Sequence, residues 1–131
     1  MKRLKYSIFI SMVVVILFCY GETAYASSKR LFDVKWNGFQ CVGDGVVHEN
    51  FASAKFTATL LPYEMALPDE MYECIVYTFY YDSEGKSLGT DYEEGNLSCH
   101  ITESNFENKL YHMRSHYDFE GHYFGEYNLY R

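Results

Sequence analysis

Met71-Tyr-Glu-Cys-Ile-Val-Tyr-Thr-Phe-Tyr-Tyr81, followed at once by Asp82-Ser83-Glu84-Gly85, decides the class of this fold. The first eleven residues are rich in β-branched and aromatic side chains and apolar on both faces, as in a central strand. The next four supply a tight turn. Ser87 to Tyr92 then reads as the return strand of a hairpin. Gly95-Asn96 turns the chain again, and Leu97, Cys99 and Ile101 alternate with Ser98, His100 and Thr102.

Working toward the N-terminus, Phe32, Val34 and Trp36 alternate with Asp33 and Lys35, while Gly38, Gly43 and Gly45 read as breaks. Residues 53–61 place Phe56, Ala58 and Leu60 opposite Lys55, Thr57 and Thr59. Pro62 and Pro68 bracket a connector. Toward the C-terminus, Ser104-Asn105-Phe106-Glu107 matches a helix capping box and predicts one helical turn at 104–108. From there period two takes over. Tyr111, Met113, Ser115, Tyr117 and Phe119 oppose His112, Arg114, His116, Asp118 and Glu120. Gly121 permits a turn, after which Tyr123, Gly125, Tyr127 and Leu129 oppose His122, Phe124, Glu126 and Asn128. About seven short strands predict an all-β, mainly antiparallel fold, a small sandwich or half-open barrel ending in a hairpin.

Residues 1–26 carry a different signal. Lys2, Arg3 and Lys5 form a basic head, Ile8 to Tyr20 is an apolar run, and Ala24-Tyr25-Ala26 offers small residues at both peptidase positions. These are the parts of a secretory signal, and the run falls short of the roughly 20 residues that span a bilayer. Cleavage after Ala26 is expected, leaving 27–131 as one domain outside the cytoplasm.

Three of the eleven basic residues and one of the eighteen acidic residues belong to that leader, so residues 27–131 carry a net charge of −9 with histidines neutral. That sign argues against nucleic acid and anionic membranes, and favours a basic partner through opposite fields. Eleven tyrosines, eight phenylalanines and Trp36 remain in this domain. A core of this size cannot hold twenty rings, so some tyrosines are expected on a contact surface.

Cys41, Cys74 and Cys99 are the cysteines of the domain. Export predicts one disulfide and one leftover thiol, and spacing does not choose among the three pairings. No C-x-x-C pair is present, which argues against a redox enzyme or zinc ribbon. His112, His116 and Asp118 share one predicted strand face with His122 beyond the turn, but Arg114 between the first two repels a cation, so no metal or other cofactor is expected. Glu93 and Glu94 would point to opposite faces, wrong for paired acid–base work. No G-x-S-x-G or phosphate-cradling glycine spacing occurs. The chain reads as a binding protein and not an enzyme.

Asp118 to Tyr130 combines permissive glycines, aromatic anchors and two carboxylates, a composition suited to entering another protein's pocket. The small, acidic, exported, tyrosine-rich domain with the tail His122-Tyr123-Phe124-Gly125-Glu126-Tyr127 resembles the periplasmic immunity proteins of bacterial type VI secretion. It is most similar in character to those of Vibrio paired with a VgrG spike effector that ends in a lysozyme-like, peptidoglycan-cleaving domain. The resemblance implies a non-enzymatic inhibitor, often a homodimer, that occupies the effector's cleft. On that reading Glu126 enters the groove with support from Tyr123, Phe124 and Tyr127, while Glu120 and His122 line the rim. A general periplasmic lysozyme inhibitor is a neighbouring expectation. A secreted peptidoglycan- or glycan-binding module using tyrosines as sugar platforms is an alternative from another class.

Overall fold

The computed structural model describes residues 26–131; the expected signal segment and its cleavage site lie outside this range, apart from Ala26 at its border. Eight strands follow one another: β1 (Ala26–Trp36), β2 (Phe39–His48), β3 (Phe51–Leu60), β4 (Cys74–Tyr81), β5 (Ser87–Gly95), β6 (Ser98–Ser104), β7 (His112–Phe119) and β8 (His122–Tyr130). They form two four-stranded antiparallel sheets. Sheet A has the order β1-β2-β3-β6 and sheet B the order β5-β4-β7-β8. The result is an all-β sandwich, with the turn after β5 carrying the chain from sheet B back to sheet A.

Alternation along the strands builds the core. Cys74, Val76, Thr78 and Tyr80 on β4 and Met113, Ser115, Tyr117 and Phe119 on β7 are buried. They face Cys41 and Val47 of β2, Ala52, Ala54, Phe56 and Ala58 of β3, and Cys99 and Ile101 of β6. Phe32 is the hub. Its ring lies 5.2 Å from Tyr117, 5.4 Å from Phe124 and 5.2 Å from Tyr127, centroid to centroid. Phe119 similarly collects Trp36, Phe39 and Phe56 at 6.0, 5.2 and 5.5 Å. Most of the phenylalanines are consumed here, leaving tyrosines for the outside.

Three expectations need correction. Gly43 and Gly45 do not interrupt the chain; both sit inside β2, paired to Phe56 and Ala54. A Cβ at Gly43 would overlap the Phe32 ring, and one at Gly45 would stand 3.2–3.3 Å from Met113, Leu129 and Leu31. The glycines make room for large side chains packed on the sheet, which is a further use of glycine in strands. The capping box forms no helix: Asn105, Glu107 and Asn108 all have positive φ, incompatible with a right-handed turn, and Phe106 plugs the core instead. Among the described residues the one 3-10 turn lies earlier, at Asp69–Met71.

The third correction concerns β8. Tyr117 pairs with Gly125 but Asp118 pairs with Tyr123, so Phe124 is an unpaired bulge residue. A bulge shifts the phase of a strand by one residue. Phe124 therefore turns inward onto Phe32, and Tyr123 turns outward, where strict alternation predicts the reverse.

Candidate functional site

The outer faces of the two sheets differ in character, and the face of sheet B is the candidate site. The expected hairpin of β7 and β8 closes through Glu120-Gly121, whose φ values of 53° and 75° are those of a tight hairpin turn with both central residues left-handed. Register then places Tyr77 beside Tyr92 and His116, His116 beside Glu126, Arg114 beside Asn128, and His112 beside Tyr130. Because paired residues of an antiparallel ladder project to the same side, these side chains share one surface.

Arg114 is central to it. Its guanidinium lies 4.6 Å above the Phe79 ring and 5.6 Å from that of Tyr81, and its Nε lies 3.2 Å from Glu126 Oε1. His116 Nε2 approaches the other carboxylate oxygen at 3.8 Å. The Arg114 contact is an ion pair and the His116 contact a longer polar approach, both without good hydrogen-bond alignment, since Arg114 Nε and His116 Nε2 have no hydrogen-bond partner. The Arg114 and Glu126 side chains are 35% and 41% exposed, so the pair is a weak, exchangeable one. Glu126 is thus held upright on the face but available to another donor.

Tyrosines surround this charge. Tyr77 and Tyr92 meet at 4.7 Å between ring centroids and, with Phe79, Thr90 and Asp91, line a shallow depression of about 420 Å³. Tyr123 approaches His116 at 5.8 Å. His112 is stacked between Tyr130 at 4.2 Å and Tyr81 at 5.2 Å, with its Nε2 2.8 Å from Asn128 Oδ1. Tyr77, Tyr92, Tyr123 and Tyr130, all 40–52% exposed, belong to this one face. Prepacked rings of this sort offer apolar area with little entropy left to lose on contact.

The six sequence-derived candidates fall into three places. Tyr123 and Glu126 stand together on the outer face of sheet B. Phe124 and Tyr127 point inward, stacked on Phe32, with the Tyr127 hydroxyl donating to the Phe124 carbonyl at 2.9 Å. Burial raises the Tyr127 phenol above its ordinary pKa. Glu120 and His122 flank the hairpin turn: a Glu120 carboxylate oxygen accepts the Glu73 backbone N–H, and His122 stacks on Trp36 at 4.7 Å. Sequence reasoning missed Tyr77, Phe79 and Tyr92. The signal was present in the all-round apolarity of Met71–Tyr81, whose outer half meets no second layer among the described residues.

An acidic end adjoins the face. Glu73, Asp118 and Glu120 line a depression of about 350 Å³ with Ile75 and Gly121. Glu73 continues into a second, of about 390 Å³, with Glu70 and Glu94. Among the described residues no group of three or more His, Cys, Asp or Glu is arranged to hold a metal ion.

No protein-family profile matches the chain, and no curated protein does. Among solved structures it is similar to a crystal structure of a β-glycosidase from Bacteroides vulgatus, at 10% identity and a TM-score of 0.33. The match covers 82% of this chain and 12% of that one, so the chain spans about an eighth of the length of its structural neighbour. Nothing about activity follows from a likeness at that level.

Proposed function

We propose that the protein is a periplasmic immunity protein that binds and blocks the active-site cleft of a peptidoglycan-degrading, muramidase-type effector of type VI secretion. The observation that carries this reading is the joint presentation of Glu126 and Tyr123 on an aromatic face of a domain with net charge −9. Muramidases use a carboxyl general acid in a long groove. Those that work on anionic cell-wall polymers gain from a basic surface, and an acidic inhibitor is steered toward one.

In this account the acidic end around Glu73 and Glu120 attracts the effector, and the tyrosines of sheet B pack against the groove walls. Glu126 exchanges Arg114 and His116 for the protonated catalytic acid or for sugar-binding donors. Phe124 and Tyr127 act from beneath, fixing the strand that carries Glu126, and His122 and Glu120 form the rim. Chemistry by the inhibitor is not required; occupation of the groove excludes substrate.

The exposed Tyr77–Tyr92 pair beside its depression favours one second reading, a glycan-binding module, because flat rings are suitable platforms for sugars. The two separate in a sedimentation assay. The module retains the purified domain on insoluble peptidoglycan with no second protein present. The inhibitor remains in the supernatant and follows a cell-wall hydrolase. Inhibition of that hydrolase by wild-type protein and its loss in Glu126→Ala supports the proposal; a change in affinity below about tenfold removes Glu126 from it, against the cost expected for a desolvated charge pair.

A further inference from the structure

Cys41, Cys74 and Cys99 are all buried and all carry free thiols, but their surroundings differ. Cys41 projects from the middle of β2, opposite Ala58, and burial alone pushes its thiol up to about 11. Cys74 begins β4 in sheet B, and Cys99 lies in β6 of sheet A, opposite Phe56. The chain between them brings the two together. Cys74 pairs with Gly95 at the end of β5, and the chain then turns directly into β6. A Cβ on Gly95 would stand 3.4 Å from Cys74 Sγ and overlap the Ser98 carbonyl, so only glycine permits a turn this close. Cys99 Sγ lies 3.0 Å from the Glu93 carbonyl oxygen. Cys74 Sγ beside Gly95 and Cys99 Sγ beside Glu93 therefore face the same interior space, within hydrogen-bond reach of each other.

We propose that Cys74 and Cys99 are the pair this domain oxidises to a disulfide, stapling sheet B to sheet A, while Cys41 stays a thiol. The hydrogen bond from Cys74 lowers the Cys99 thiol and, with burial, raises that of Cys74. Cys99 is therefore the sulfur that ionises first and attacks the donor. The oxidant is a small-molecule or protein disulfide. Cys99 thiolate attacks one donor sulfur, forming a mixed disulfide and releasing the other as a thiolate. Cys74, deprotonated in turn, attacks the Cys99 sulfur and expels the second donor thiolate. Two protein thiols are oxidised, one donor disulfide is reduced to two thiols, and the two protons lost by the protein pass to them. Burial places the reaction late in folding, after Cys74 and Cys99 meet and before the surrounding strands exclude the donor.

The staple closes a loop of about 25 residues and is expected to raise Tm by roughly 10 °C or more for a domain of this size. The test is to refold the fully reduced full-length chain in a glutathione redox buffer, quench with iodoacetamide and map the peptides. The expected product carries one cross-linked peptide joining Cys74 to Cys99, lighter by two hydrogens, with Cys41 alkylated. The Cys41→Ser variant should give the same cross-link and the same fall in Tm on reduction. A bridge involving Cys41 or Cys19, the cysteine of the expected leader, or alkylation of both Cys74 and Cys99 in the refolded product, overturns the proposal. Because no effector is present, this outcome is independent of the inhibitor reading.

Discussion

The outer faces of sheets A and B come from strands of similar length and bury similar inner faces, yet they are chemically unlike. Sheet A presents hydroxyls and paired charges: Ser53 and Thr102 both contact His100 Nε2, at 2.8 and 3.3 Å, and Arg30 spans Asp33 and Asp44 at 3.6 and 3.2 Å. These are short polar groups already satisfied by neighbours, an ordinary solvated surface. Sheet B presents Tyr77, Phe79, Tyr92, Tyr123 and Tyr130 around Arg114 and Glu126. A solvated face has no need of so many rings. The difference teaches that hydrophobic patterning specified the shared interior, and that the exposed strand tyrosines were assigned to one sheet only, the face on which the proposed partner would gain from them.

The most damaging way to break the comparison is to remove what the two sheets share. Phe56 is fully buried from sheet A and touches Phe119 of sheet B at 5.5 Å. Phe56→Ala should cost about 3–5 kcal/mol, and urea unfolding followed by fluorescence and by circular dichroism should give coincident transitions, since neither sheet retains a core alone. Separate transitions would show that the faces belong to independent units.

Next in size is the proposed binding face. Glu126→Ala should weaken effector binding by about 2–5 kcal/mol by calorimetry, while Lys55→Ala or Thr57→Ala on sheet A should leave it within twofold and change stability by less than about 0.5 kcal/mol. A sheet A substitution that weakens binding as strongly as Glu126→Ala would reverse the assignment of faces.

A pH dependence sharpens the same contrast from within. Burial raises the Tyr80 phenol from 10.0 to about 12, against a smaller opposing effect of Thr78, and burial likewise pushes Tyr117 well above its ordinary value. Both are inward residues of sheet B. Their folded values exceed their unfolded ones, so the protein binds more protons folded than unfolded above pH 10. The stability they confer is complete below that pH and is lost as pH rises toward the folded values. Tyr80 alone accounts for about 2–3 kcal/mol over roughly pH 10–12. Denaturant midpoints should fall across that window, and Tyr80→Phe should flatten the fall. An unchanged slope would mean that Tyr80 ionises freely.

The smallest expected effect is at the exposed ring pair. Tyr77→Ala should remove about 0.5–1.5 kcal/mol of stability through its contact with Tyr92, and a larger share of binding than of stability if the rings meet the partner. Equal losses in both would reduce the pair to structural use.

Much of this fold was legible. Period two in residues 112–119 and 53–60 decided which residues are buried, and the Asp82–Gly85 turn joined β4 to β5 as read. What escaped depends on contacts between distant residues. Gly43 and Gly45 look like breakers until the rings of Phe32 and the side chains of Leu31 and Met113 are laid over them. The phase change at Phe124 is a register event between β7 and β8, invisible in either strand alone. The capping box at Ser104 failed because burying Phe106 outweighed a local hydrogen-bond preference. For the candidate site, Tyr123 and Glu126 were legible from composition, but their common face depends on that bulge. Tyr77 and Tyr92 required knowing that, among the described residues, no second layer covers the outside of sheet B.

The most direct test is inhibition. The muramidase-type effector proposed as the partner should be purified and its clearing of a peptidoglycan suspension followed by turbidity, with the domain added at increasing ratio. The account predicts loss of activity at about one equivalent for wild type and for Lys55→Ala, with Glu126→Ala requiring at least about tenfold more. Undiminished clearing in the presence of a large excess of wild-type protein would contradict it.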